Sequence, residues 1–241
     1  GNWKGNQVTI QHSLSSAAAG SLDASATFRI SSANFKLYNV NIRNNYGQGA
    51  QAVAVSARGD KQGYYGCAFY SYQDTLYVYS NKPYYSNCYI EGAVDYIFGG
   101  ASVWFGECTI ASNGGGAITA SSREVATDSG WYVIDSSTLK SNTLRVTAAA
   151  NSGDLTAKVY LGRPWRVLAR VIYQNSALSA IIAPKGWTEM AAGATPLYYE
   201  YENTGAGAST SQRQYLSSIS APMDKTTLFG SNWTSWIDRS Y

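Results

Sequence analysis

Apolar and polar residues alternate along this chain in short runs, as in VTIQHSL (8–14), ATFRI (26–30) and AVAVSA (52–57). A period of two predicts strands with one buried face, and no stretch of the central region carries a sustained helical stripe. The pattern itself also recurs. GCAF (66–69), NCYI (87–90) and ECTI (107–110) each set a cysteine after a small or polar residue and two positions before an apolar one, at intervals of 21 and 20 residues. YNVNI (38–42), DSSTL (135–139) and QNSAL (174–178) continue the frame, with Val40, Ser137 and Ser176 in the place of cysteine. A unit that cannot bury its own apolar face must stack on its neighbours, so the expected fold is an all-β parallel solenoid with coils of this length. No linker divides the chain, which reads as a single domain over residues 1–241. Its Ser/Thr-rich tail, from about 205 to 241, should pack across the solenoid as strand fragments, loops and a short helix. Longer intervals after Cys108 and Ser137 predict protruding loops, placed at SNGGGA (112–117) and around 150–170.

One run resists this frame. GAVDYIFGG (92–100) reads as a buried strand closed by a glycine turn, yet Asp95 sits inside it, and an aspartate is rarely buried unless something pairs with it or uses it. Counting by coils puts Gln51, Gln73 and Asp95 at intervals of 22 residues, with Asp74 lying 21 before Asp95. Equivalent positions on stacked coils lie about 4.8 Å apart, so two carboxylates and two carboxamides should converge on one face. Acids that close cannot easily both ionise, which is what an acid–nucleophile pair needs. Arg163, in YLGRPW (160–165), is a cation able to hold one of them ionised, with Gly162 and Pro164 expected to shape a turn that presents it. The plainer alternative is a stabilising Asn/Gln ladder with a strand-ending aspartate. Aromatic residues tip the balance towards chemistry: Tyr72, Tyr77, Tyr96, Phe98, Trp165 and Trp187 flank the polar positions. Twenty tyrosines and seven tryptophans suit a carbohydrate groove better than a rigid all-β core.

Composition narrows the options. Only 14% of residues are charged, well below the usual quarter, and the net charge is +3. That mild excess suits an acidic polymer as ligand, while the absence of any Lys/Arg-rich run argues against nucleic acid. No apolar run reaches the roughly 20 residues of a membrane span. Neither does the chain open on a basic segment followed by an apolar core, so the expectation is a secreted protein past its leader, and Asn232-Trp233-Thr234 is a glycosylation sequon. His12 is the only histidine, which removes a Ser-His-Asp hydrolase and a His-rich metal site and leaves carboxylates to act as acids, bases or nucleophiles. Cys67, Cys88 and Cys108 lack metal-binding spacing and read as a ladder of small buried residues, with a disulfide between adjacent coils open for one pair.

YQDTLY (72–77), IEGAVDYIFG (90–99) and YLGRPW (160–165) resemble the signature segments of the pectin methylesterase (pectinesterase) family. QAVAVS (51–56), GWTEM (186–190) and YEYENTGAGA (199–208) are similar to its further segments, in the same order, from about residue 3 to the C-terminus. The resemblance implies a right-handed single-stranded parallel β-helix that hydrolyses the methyl esters of polygalacturonate in pectin and releases methanol. It implies Asp95 as nucleophile, Asp74 as general acid then base, Gln51 and Gln73 as oxyanion donors, and Arg163 as the residue orienting Asp95. Trp165 and Trp187 would wall the substrate groove, with Tyr72 and Phe98 beside them. No metal or cofactor is implied; the partner is methyl-esterified homogalacturonan, and the protein is expected to be an extracellular monomer. Ser71, Tyr96 and Met190 depart from the family pattern, the last where a tryptophan is usual, without removing a reacting group. Family members also carry residues before the segment matching residue 3, so the first coils are expected to be absent from this chain. The competing readings are a polygalacturonase or lyase, whose flanking carboxylates or calcium cluster the sequence does not show, and an inactive pectin-binding relative.

Overall fold

The computed structural model describes residues 2–142 and 153–241. Short strands follow one another around a coil, and every third strand pairs in parallel with its counterpart on the next coil. Among the described residues they build three sheets of seven, six and seven strands. This is the parallel β-helix that the coil period predicts.

Register explains the recurrent frame. Ile42, Phe69, Ile90, Ile110, Leu139 and Leu178 lie level in the first sheet, all fully buried in the core. Three positions earlier the backbone turns through the left-handed region at Gly66, Asn87, Glu107, Ser136 and Asn175, with φ between 49° and 59°. Glycine and asparagine enter that region most readily, which accounts for Gly66 and Asn87 before their cysteines, while Glu107 takes the same conformation before Cys108. The cysteines then form the expected buried ladder, continued by Ser137 and Ser176, whose hydroxyls accept from the Cys108 and Ser137 amides at 3.0 Å. All three thiols are free, so no disulfide joins adjacent coils. The Cys88 and Cys108 thiols instead donate to the carbonyls of Ser86 and Gly106, each at 3.4 Å.

The surplus of tyrosine belongs largely to the core, against the sequence expectation. Tyr64, Tyr85 and Phe105 stack on successive coils at 4.6 and 4.8 Å between centroids. Some buried phenols are satisfied by donating inward, Tyr64 to Gln62 Oε1 at 2.9 Å and Tyr173 to the Leu161 carbonyl at 2.8 Å, whereas those of Tyr85 and Tyr198 are buried without a partner.

Two loop expectations also shift. Residues 112–117 form only a tight bend between strands Thr109–Ser112 and Gly116–Ser121; the long interval after Cys108 is taken up by the exposed segment 124–129. Of the stretch around 150–170, positions 150–152 lie outside the described residues, and Val159–Pro164 is a strand. The tail lies over the outer face of the third sheet, where Met223, Phe229, Trp236 and Ile237 cover Tyr65, Tyr84, Trp104 and Val133. A short α-helix, Lys225–Phe229, and a 3-10 turn, Trp233–Ser235, carry part of it.

Candidate active site

Asp95 lies in a bend, not within a strand. Tyr89–Gly92 and Ile97–Gly99 are separate strands of different sheets, and between them Asp95 adopts φ 50°. Asp74 does the same one coil earlier, with φ 63°, between Ala68–Tyr70 and Leu76–Val78. Aspartate tolerates this left-handed backbone better than most residues, and here the bend lifts both carboxyls off the sheet towards one face.

The coil count needs a correction of one residue. Gln73 pairs with Val94, and the Asp74 amide donates to the Val94 carbonyl at 3.0 Å. Asp74, not Gln73, is therefore level with Asp95, and the two acids stand on adjacent rungs about 4.8 Å apart along the stack. Gln73 stands one position before Asp74 in its bend, and Gln51 lies one coil earlier, where the Ala52 amide donates to the Gln73 carbonyl at 3.1 Å.

Arg163 also arrives differently from the expectation of a turn. It belongs to the strand Val159–Pro164, level with Ala120 and on the outward face of the second sheet. From there its guanidinium grips Asp95 in a fork, Nε to Oδ1 at 2.8 Å and Nη2 to Oδ2 at 2.7 Å. Two parallel charge-assisted bonds fix the carboxylate's plane. Arg163 is in turn held more firmly protonated, first by its hydrogen bond with Asp95.

Asp74 has no such partner. Its side chain makes no hydrogen bond among the described residues, and it is 6% exposed. Burial first, then the charge of Asp95, pushes its carboxyl up to about 8, with Arg163 opposing. One acid is thus clamped by a cation while its neighbour is held protonated. The carboxamides complete the arrangement. Gln51 Oε1 accepts from Ser16 Oγ at 3.0 Å, which leaves its N–H groups to point elsewhere, and the Gln73 side chain is unengaged by the described residues.

These groups share a cleft of about 220 Å³, lined by Gln51, Gln73, Asp74, Asp95 and Arg163, with Phe98 and Trp165 beside them. Phe98 is 2% exposed and forms the floor, stacked under Tyr77 at 4.3 Å. Two expected groove residues are placed elsewhere. Trp187 is fully buried, stacked on Tyr198 at 4.0 Å, with its Nε1 donating to Glu200 Oε1 at 3.2 Å. It bridges to Gly162, whose missing side chain makes the room for it, and so supports the Arg163 strand from within. Tyr72 is not among the residues lining the cleft; its phenol lies against Gly114, where an added Cβ would come within 2.8 Å. Leu22, Ala120 and Met190 line the cleft instead. Met190 could be suspected from GWTEM, but Leu22 sits on a loop with no distinguishing sequence pattern.

A parallel β-helix that presents an arginine-clamped carboxyl and a protonated one beside two carboxamides fits a carboxylic ester hydrolase. Comparison with known proteins makes this specific: the Pectinesterase family model matches residues 3–238, and the chain belongs to the pectinesterase family. It is 64% identical over 239 residues to a probable pectinesterase A of Aspergillus niger, covering 99% of this chain and 71% of that protein. It is 61% identical to pectinesterase A of Emericella nidulans, covering 100% of this chain and 71% of that protein. The crystal structure of the deglycosylated Aspergillus niger pectin methylesterase superimposes with a TM-score of 0.95 at 63% identity, over 100% of this chain and 78% of that one. Carrot pectin methylesterase follows with a TM-score of 0.85 at 29% identity, over 95% and 76%.

Proposed function

We propose that the chain removes methyl groups from methyl-esterified homogalacturonan, the activity that its family membership supports, and that the Asp95–Asp74 pair performs the chemistry. The observation that carries this division of labour is the forked Arg163–Asp95 contact beside an Asp74 without a partner. The Asp95 carboxylate attacks the ester carbonyl, forming a C–O bond while the carbonyl electrons move onto oxygen. The amide N–H groups of Gln51 and Gln73 donate to that oxyanion; losing one such donor typically costs about 3 kcal/mol of transition-state stabilisation. Collapse expels methoxide, which takes the Asp74 proton and departs as methanol. The remaining mixed anhydride is attacked by water, Asp74 takes the water's proton, and Asp95 leaves as carboxylate. Phe98 and Trp165 offer apolar faces to the sugar ring.

The protein is proposed to act outside the cell as a monomer, without nucleic acid or membrane as partner. The exposed sequon at Asn232 supports a secretory route, and no helix among the described residues is long and apolar enough to cross a membrane.

Methanol release from highly esterified pectin tests the reading. Asp95→Asn and Asp74→Asn should each lose activity by several orders of magnitude, and Gln73→Ala by roughly 100-fold. Full activity in either aspartate variant would sink the mechanism. A wild type that binds pectin but releases no methanol would make the chain a binding relative.

A further inference from the structure

Arg163 stands on the last strand of the second sheet. On one side that strand has a parallel ladder with Gly116–Ser121. On its other side, among the described residues, lies no strand but the irregular segment 181–191, joined to it by two isolated bridges, Val159 to Ile182 and Gly162 to Trp187. Both neighbours of Arg163 are nonetheless tied to this segment. The Gly162 carbonyl accepts from the Thr188 amide at 3.1 Å, and the Pro164 carbonyl from the Ala191 amide at 2.9 Å. The segment therefore sets the far side of the strand that carries the guanidinium.

A buried ion pair holds the segment in turn. The side chains of Arg213 and Glu200 are 1% and 2% exposed, the deepest ion pair among the described residues. Arg213 donates from Nε to Glu200 Oε1 at 2.7 Å and from Nη2 to Oε2 at 3.1 Å. Nη2 also reaches the Gly207 carbonyl at 2.6 Å, while Nη1 reaches those of Ala183 and Pro184 at 3.3 and 3.0 Å. A guanidinium carries five N–H donors, and here every one is engaged. The next two residues continue the seam, the Gln214 amide donating to the Lys185 carbonyl at 2.9 Å and the Tyr215 hydroxyl to Glu189 Oε1 at 2.6 Å. Gly186 makes room for the crossing: at φ 66° it lies against the Arg213 side chain, where an added Cβ would come within 2.3 Å of Cδ.

Glu200 carries the hold towards the site. Its Oε1 also accepts from Trp187 Nε1 at 3.2 Å, and the Trp187 ring packs against Gly162, one residue from Arg163. A buried ion pair stabilises little beyond what well-packed apolar side chains would, but one whose donors are all satisfied selects a single arrangement.

We infer that Arg213 and Glu200 are positioning residues for ester hydrolysis: through Trp187 and the backbone of segment 181–191 they fix where the Arg163 guanidinium stands, and so how the Asp95 carboxylate is held. The inference rests on the roles proposed above for Asp95 and Arg163. It assigns a share of the reaction's geometry to two buried residues that touch no substrate.

The test compares Arg213→Met with the wild type in methanol release from highly esterified pectin, well below the unfolding midpoint of each. The variant should lose kcat on the order of 10- to 100-fold, with KM little changed. Its pH profile should move as well. Arg163 opposes the upward push on the Asp74 carboxyl, so a displaced guanidinium should carry the alkaline limb, near 8 in the wild type, to higher pH. Arg213→Lys keeps the charge but cannot reach every acceptor, and should behave like Arg213→Met. Arg213→Met/Glu200→Met removes both charges and serves should the single variant, with its uncompensated buried carboxylate, not fold. An unchanged kcat, a fall in kcat with the limb unmoved, or full recovery in Arg213→Lys would overturn the inference. Proton exchange decides the same point without turnover. In protein carrying isotope-labelled arginine, the Arg163 Nε–H, held on Asp95 Oδ1 at 2.8 Å, should exchange faster in the variant than in the wild type. Equal exchange rejects the positioning role. A wild type that releases no methanol rejects the catalytic reading, and the exchange comparison still stands.

Discussion

Asp74 and Asp95 stand on adjacent rungs in the same kind of left-handed bend, with the same low exposure, and hydrogen bonding is what sets them apart. Asp95 receives two donors from Arg163; Asp74 receives none from the described residues and feels its neighbour's charge. The sign of the resulting pH dependence follows. A carboxyl raised to about 8 keeps its proton below that pH and loses it above, so the general acid is present at neutral pH and vanishes under alkaline conditions. Measured against pH, kcat/KM for methanol release should fall on an alkaline limb near 8. A profile that stays flat well beyond that limb would show that Asp74 does not supply the proton. The pair itself was legible from the 21-residue spacing; which acid Arg163 pairs with was not legible from spacing, since the two lie 68 residues apart, and only the family resemblance pointed to Asp95.

At the scale of single elements, the strand Val159–Pro164 shows how the core sets the site. Gly162 lies level with Thr119 and bridges to Trp187, and an added Cβ would come within 2.1 Å of Thr119 Oγ1 and 3.1 Å of the Trp187 ring. Gly162→Ala should therefore destabilise the protein by about 1–3 kcal/mol through overpacking. It should also lower kcat, since Arg163 is the next residue on the strand. Urea unfolding together with methanol release checks both; a variant of wild-type stability would mean the strand has room to move. Trp187 was misread as a groove wall for a physical reason. An aromatic residue near a motif carries no mark of which sheet face it takes, and here the absence of a side chain at Gly162 draws it inside. The tyrosines were misread likewise, because stacking between coils packs their rings inside, and inward carbonyls accept from the Tyr64 and Tyr173 hydroxyls.

Across the whole molecule, the ladder of Cys67, Cys88 and Cys108 reports on the stack. Each thiol is buried and unbridged, so a thiol reagent should reach it only when coils separate. Native protein should label very slowly, and all three cysteines should react together across the unfolding transition in denaturant. Rapid native labelling of one cysteine would show that its coil opens alone.

The coil architecture was written in the sequence, because a solenoid repeats local rules. Left-handed bends demand glycine or a short polar residue, inward positions demand apolar side chains, and both recur at a fixed interval. The reacting carboxylates were legible for the same reason, as were the segments that resemble the pectinesterase family. Tertiary structure alone decided the one-residue register that levels Asp74 with Asp95, the fork from Arg163 and the burial of Trp187. Each of these depends on contacts between segments separated by a coil or more, and a side chain's facing and ionisation are set by what the stack brings beside it.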